Sequence, residues 1–352
     1  MATMAQAIRL ALHYGEEHLG VTDIFGEDVG PPLGGVFTCT QGLKTAWNSP
    51  LDERGIIGCA HGLALAGRKP IAEIQFCDYI YNTIDLLKLC GNTRWSSNGD
   101  WGVPLVVMTP VGAGIHGSIY HSHSFDAVMS HLSGWKIVMP STPYDAYGLM
   151  LSAIKDPDPV MYLIPKGLMR YSGGELIPGV PEDAKILNDR IGAPVRGNAD
   201  QSWKPQWPKL QDISIPLGEG KWVQSGSTAT VVTFGRMVHL CDEAIKHLGE
   251  EGNIDLIDLR TLYPYDSKMI FESVRKTGRL LIVNEDSEVT NFGEHLLRRV
   301  IDECFYYLQV KPIFLGAAHV PGVGLAENLE EATVPTTAHI SQALQNLLLE
   351  PA

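Results

Sequence analysis

The chain has 352 residues, 45% of them hydrophobic and 19% charged, with 27 Lys plus Arg against 40 Asp plus Glu and a formal net charge of −13. Its length allows two cores, since a single core stops growing near ~250 residues; the negative balance repels phosphate backbones and speaks against nucleic acid, and no apolar run approaches the ~18 residues of a membrane span. The six cysteines, at 39, 59, 77, 90, 241 and 304, form no CxxC pair and read as reduced, mostly buried thiols, neither a disulfide framework nor a zinc site.

The N-terminal stretch places Met4, Ile8, Ala11 and Leu12 at helical spacing among polar residues. An amphipathic surface helix is expected there, neither a signal nor a transit peptide, and the compartment expected is the cytosol. Short apolar runs then alternate with stretches of helical spacing: VTDIF from 21, PIAEIQF from 70, PLVVM from 104, WKIVM from 135 and PVMYLI from 159. Alternation of this kind predicts an α/β fold with a parallel sheet covered on both faces. From 166 to 215 the periodicity fails, and an irregular linker rich in Gly, Pro and Asp, with Trp203 and Trp207 between prolines, is expected. The α/β grammar restarts after 216 with ATVVTF, NIDLIDL, RLLIVN and KPIFLG. Between the second and third of these runs, Asp266 is placed to cap a helix whose apolar face carries Ile270, Phe271 and Val274 and which Gly278 ends. The expected domains are 1–165 and 216–352.

The stretch VVMTPVGAGIHGSIYHSHS, from 106, joins a strand-like run to Gly112-x-Gly114-x-x-Gly117 and to His116, His121 and His123. As a dinucleotide fingerprint it lacks the acid about 20 residues onward, follows a late strand, and contains Pro110, so a Gly-rich turn approached closely by backbone or ligand is preferred. As a metal site it lacks a third ligand nearby. With Ser122 or Ser124 as N-cap and Asp126 in the first turn, His121 would sit just before a helix, a placement suited to proton transfer or anion recognition.

Three stretches, FGEDVGPPLGGVFTCTQGL from 25, SPLDERGIIGCAHGLALAGRKPIAEIQFCDYI from 49 and YHSHSFDAVMSHLSGWKIVMPSTPYDAYGLMLSAI from 120, resemble the beta subunit of the thiamine-diphosphate-dependent decarboxylating component of 2-oxo acid dehydrogenase complexes, most closely its branched-chain member. IDLRTLYPYD and KTGRLLIVNED extend the likeness to the transketolase C-terminal domain, so the resemblance implies a pyrimidine-binding domain followed by that domain.

The resemblance gives Glu53 the role of hydrogen-bonding the aminopyrimidine ring nitrogen of the cofactor, where a carboxyl of raised pKa can share a proton with the ring. Taken alone, the same residue reads as an acid at a helix N-terminus. Tyr79 matches the aromatic packed on the pyrimidine, Leu51 an apolar cofactor contact, and His121 the histidine that faces substrate and lipoyl group. Glu27 and Asp85 match acids of a proton path between paired active sites. The family's potassium ion is held largely by backbone oxygens, in the segment aligned with Ala153 to Asp158, beside Asp156 and Asp158.

Two residues depart from the family: His123 and Leu86 each stand where it has glutamine. The magnesium motif of the family, GDG followed by Asn, is also incomplete at Gly99-Asp100-Trp101. Mg²⁺ and the diphosphate half of the site are therefore expected from an alpha subunit in an alpha2beta2 heterotetramer, with a lipoyl acyltransferase core as the further partner and a small 2-oxo acid such as 3-methyl-2-oxobutanoate as substrate. Alternatives left open are a pyruvate or acetoin dehydrogenase beta subunit and a non-catalytic assembly subunit; the long linker with its tryptophans is placed to cover the alpha partner or the face that docks the lipoyl protein.

Overall fold

The apolar runs become strands. The computed structural model describes residues 1–193 and 203–351, which divide into two compact units, Met1–Pro110 with Leu132–Leu217, and Val111–His131 with Gly218–Ala352.

In the first unit, α1 (Met4–Tyr14) begins at Thr3, whose side chain and that of Gln6 cap each other's backbone. There follow β1 (Asp23–Gly26), β2 (Ala46–Asn48), α2 (Glu53–Leu65), β3 (Pro70–Glu73), α3 (Ile84–Ser96) and β4 (Val106–Val111). After α4 (Asp126–Ser130), which lies in the second unit, the first resumes with β5 (Lys136–Val138), α5 (Pro143–Lys155), β6 (Val160–Pro165) and α6 (Ala184–Ile191). Its strands are ordered β5-β6-β4-β3-β1-β2, and those with recorded register run parallel. Strands β1, β3, β4 and β6 are buried at every position, as a sheet covered on both faces requires. The chain leaves β1 for β2 on one side and returns to β3 on the other. Such a switch point opens a crevice at the carboxyl ends of the strands.

The first helix differs from expectation. It is a core helix, buried at nine positions from Met4 to His13, because its polar face is also covered. Arg9 donates to Ile191 O at 2.8 Å, Thr38 Oγ1 at 2.7 Å and Gln41 Oε1 at 3.2 Å, and burial lowers its guanidinium to about 10.

Much of that cover comes from the segment after 166. Ile177, Leu187, Ile191 and Ile215 belong to the first unit's core, and α6 is capped by Asp183. Trp207 stacks on His13 with ring centroids 4.0 Å apart, Trp203 and Pro205 close on Gly42, and Tyr147 Oη donates to Gln211 O at 2.8 Å. These two tryptophans therefore pack on their own unit, where Trp207 covers part of α1. Residues 194–202 of the expected linker lie outside the described residues.

The second unit contains β7 (Lys221–Gln224), β8 (Ala229–Thr233), α7 (Met237–His247), β9 (Ile254–Asp258), β10 (Thr261–Tyr263), α8 (Ser267–Thr277), β11 (Leu280–Ser287), α9 (Phe292–Cys304), β12 (Ile313–Ala317), α10 (Glu327–Glu331) and α11 (Thr337–Leu349). Its sheet is ordered β12-β11-β8-β9-β7, parallel except for β7, which pairs antiparallel with β9 at the edge. As expected, Asp266 accepts from Met269 N at 3.0 Å to start α8, and Gly278 ends it at φ +68°. Val231, Cys241, Ile245, Ile340 and Leu344 share one core under α7 and α11. None of the six cysteines forms a disulfide and five of them are buried, and among the described residues no helix is long and apolar enough to cross a membrane.

Candidate active site

The crevice of the first unit is acidic. Glu27 follows β1 directly, Glu53 is the first residue of α2 after β2, and Glu73 ends β3. Gly26 permits this convergence, for a Cβ there would stand 2.4 Å from the Glu73 carbonyl oxygen. Glu73 is 2% exposed. Its Oε1 accepts from Val36 N at 3.1 Å, and its Oε2 is buried without a partner. Burial, with the charges of Asp28 and Glu27 adding, outweighs that hydrogen bond and lifts the Glu73 carboxyl to about 7.

Glu27 is likewise raised to about 7, first by burial, then by the charge of Glu53, by the hydrogen bond the two carboxyls share, and by Asp28. Its Oε1 is buried and accepts from no other protein donor. Glu53 also accepts from Asn82 Nδ2 at 3.4 Å and remains half-buried, open on one side. A carboxyl that ionises near neutrality, hydrogen-bonded to a second one, forms a donor and acceptor pair.

Tyr79 borders this pair. It lies on a tight turn, Cys77–Thr83, half-buried, and burial followed by the charges of Asp78, Glu27 and Glu53 raises its phenol. The turn is anchored by Lys166, fully buried, whose Nζ lies 3.9 Å from Asp78 Oδ2 and 5.4 Å from the Phe76 ring centre. Phe76 in turn meets Tyr79 edge-on at 6.0 Å. Leu51, 81% exposed, stands two residues before Glu53 in the loop that leads into α2. Together these residues offer a flat aromatic wall, an apolar contact and a proton-sharing carboxyl. That donor set fits a basic, planar heterocycle such as an aminopyrimidine.

Not every expected residue joins them. Asp85 forms a bidentate pair with Arg54, at 2.6 and 2.9 Å, on the exposed side of α2 and α3. Asp156 holds Lys136 Nζ at 2.6 Å, while Asp158 pairs with Arg94 at 3.0 Å, so any cation bound near Ala153 would rest on backbone oxygens. Leu86 packs toward Gly58 of α2.

His121 belongs to the second unit, half-buried, its Nδ1 3.2 Å from Gly117 O. The helix expected after it starts later than the serines suggested. Phe125 takes the N-cap position without a side-chain hydrogen bond, and Asp286 Oδ2 accepts from Ala127 N at 3.2 Å in place of a serine. Ser122 is buried instead, 2% exposed. Asp126 and Asp286 share a hydrogen bond, and burial raises both carboxyls. His123 acts partly through its backbone, its carbonyl accepting from Gly112 N at 2.7 Å.

Sequence reasoning missed Glu73, Asp78 with Lys166, and the acids around the 112–127 loop. For Glu73 a signal existed, an acid inside the apolar run PIAEIQF. For the others, separated by 88 residues or more from what they hold, none did.

The chain matches the transketolase pyrimidine-binding domain over residues 1–172 and the transketolase C-terminal domain over 218–340. It is 37% identical to the 2-oxoisovalerate dehydrogenase subunit beta of Pseudomonas aeruginosa over 321 residues, which cover 87% of this chain and 84% of that one. It is 34% identical to the pyruvate dehydrogenase E1 component subunit beta of Acholeplasma laidlawii, covering 88% of each. A split-gene transketolase solved as an inactive beta4 tetramer shares the fold, with a TM-score of 0.72, 19% identity and full coverage of both chains. The chain belongs to the beta-subunit family of 2-oxo acid dehydrogenases, built from a transketolase pyrimidine-binding domain and a transketolase C-terminal domain.

Proposed function

We propose that this chain forms, with an alpha subunit, the decarboxylating component of a branched-chain 2-oxo acid dehydrogenase. The observation that carries the reading is the proton-sharing Glu27–Glu53 pair beside the half-buried ring of Tyr79. Thiamine diphosphate, when bound, supplies the nucleophilic carbon and the electron sink for loss of carbon dioxide. In this chain Glu53 would hold a proton at the aminopyrimidine ring nitrogen, Tyr79 and Leu51 would offer the ring its aromatic and apolar contacts, and Glu27, which ionises at about 7, would keep a proton available to Glu53. His121 donates a proton at its ring nitrogen during transfer of the acyl group to a lipoyl group. The incomplete motif at Gly99-Asp100-Trp101 leaves Mg²⁺ and the diphosphate to the alpha subunit, in an alpha2beta2 assembly that serves a lipoyl acyltransferase core.

The test is decarboxylation by the co-purified complex, with an artificial electron acceptor, thiamine diphosphate and Mg²⁺, and with 3-methyl-2-oxobutanoate and pyruvate in competition. Activity only in the complex, greater with the branched acid, is expected. Preference for pyruvate would move the substrate and keep the mechanism, an outcome that the 34% identity to a pyruvate dehydrogenase subunit makes worth the competing arm. An inactive but fully assembled complex would refute the enzymatic reading.

A further inference from the structure

The glycine-rich loop before His121 has left-handed backbone at Gly112, Gly114, His116 and Ser118, with φ of 82°, 92°, 53° and 63°. Alternation of this kind turns successive N–H groups toward one side and makes a cradle for anions. Here carboxylates of the chain itself fill the cradle. Glu285, on β11, accepts from Ala113 N at 2.8 Å. Glu330, on α10, accepts from Gly114 N at 3.0 Å through one oxygen and from His116 N at 3.1 Å through the other, and its Oε2 lies 3.8 Å from His116 Nδ1.

Both acids are themselves held. Arg236 donates to Glu285 from Nε at 2.9 Å and again from Nη2, and Glu330 is 6% exposed. Gly112 leaves no room for a side chain, since a Cβ there would stand 2.6 Å from Glu285 Oε2. Beyond the cradle, Gly117 O meets His121 Nδ1, and Gly112 N closes the loop onto His123 O. The clamped segment thus begins at one end of the His121 loop and ends one residue before the carbonyl against which the His121 ring rests.

We infer that Glu285 and Glu330 are positioning residues for His121, which act by occupying the backbone N–H cradle at 113–116 and so fixing the carbonyl of Gly117. The inference rests on the proposed role of His121 in acyl transfer. It excludes an added phosphate or dinucleotide from this loop, because two carboxylates already take its N–H groups.

The test uses the assembled complex with Glu330→Ala, Glu330→Gln and His121→Ala. Amide hydrogen exchange in a peptide spanning 111–124 reads the clamp, and the ratio of lipoyl acyl transfer to dye-coupled decarboxylation reads its function. Glu330→Ala should speed exchange about tenfold and lower the ratio about fivefold, as loss of two buried hydrogen bonds implies. Glu330→Gln, whose amide oxygen can keep one bond, should fall between and covers the case in which alanine fails to fold. Unchanged exchange in both variants overturns the clamp; equal loss of both reactions overturns the positioning role and leaves a structural one. Wild-type acyl transfer by His121→Ala refutes the reading of His121 and the function inferred here with it, a failure told apart from that of the clamp because the exchange does not depend on it.

Discussion

Replacing Glu73 by glutamine should stabilise the protein, and by an amount that depends on pH. In the fold the carboxyl ionises at about 7 against an ordinary 4.5, so between those values the folded chain holds a proton that the unfolded chain has lost. The contribution to stability is complete below 4.5 and is lost as pH rises through 7. At about 1.4 kcal/mol per pH unit, the full displacement is worth about 3 kcal/mol at pH 8. Glutamine keeps the oxygen that accepts from Val36 N and carries no charge. Its new NH₂ needs an acceptor, which offsets about 1 kcal/mol. The net expectation for Glu73→Gln is a gain of about 2 kcal/mol at pH 8 and close to none at pH 5, where the carboxyl costs only about 1 kcal/mol; the pH-independent NH₂ penalty drops out of the comparison, leaving a difference of about 2.5 kcal/mol, or about 5–10 °C in the unfolding midpoint for a unit of this size. Thermal melts of assembled wild type and variant at the two pH values measure it, with the assembly contribution cancelling in the difference. An equal shift at both pH values, or a variant less stable at pH 8, would refute the claim that Glu73 is a buried, reluctantly ionised carboxyl.

Glu53→Gln should assemble normally and lose decarboxylation by at least about 100-fold; a variant with wild-type turnover would show a non-catalytic assembly subunit. Because Glu27 ionises at about 7 and is protonated below it, wild-type kcat/KM should fall as pH rises through 7. Glu27→Gln should flatten that limb, and an unchanged profile would remove Glu27 from the proton path. Trp207→Ala strips the ring stacked on His13 and should cost about 2 kcal/mol, less than a fully buried tryptophan; a melt indistinguishable from wild type would mean that the segment after 203 contributes nothing to α1.

The sheets were legible because buried parallel strands need continuous apolar sequence, which leaves no ambiguity about where β3, β4, β6, β8 and β9 lie. Strands that do not sit in a buried interior left no such trace. Ala46–Asn48 has no fully buried position, and Lys221–Gln224 is an exposed antiparallel edge. The misjudged surface of α1 has a related cause. Periodicity reports which residues are apolar, and Arg9 is polar yet buried because carbonyl and hydroxyl acceptors from two distant segments, 38–41 and Ile191, reach it. Nothing in the spacing of Met4, Ile8, Ala11 and Leu12 announces that a segment some 200 residues later will cover the other face.

The candidate site divides along the same line. Glu53, Tyr79 and His121 stand in motifs whose spacing is local, so sequence reached them. What makes Glu53 chemically useful is not local at all: its partner Glu27 arrives from the end of another strand, and Glu73 adds a third buried carboxyl because Gly26 lets β1 and β3 approach. Glu73, itself lifted to about 7, carries less than a full charge beside Glu27 below neutrality; had it ionised at its ordinary value, its charge would have pushed the Glu27 carboxyl up further and held that proton too tightly to pass on. The cluster therefore works as a set of three, and the stability predicted to return in Glu73→Gln measures what the fold forgoes to keep three carboxyls at the mouth of one sheet.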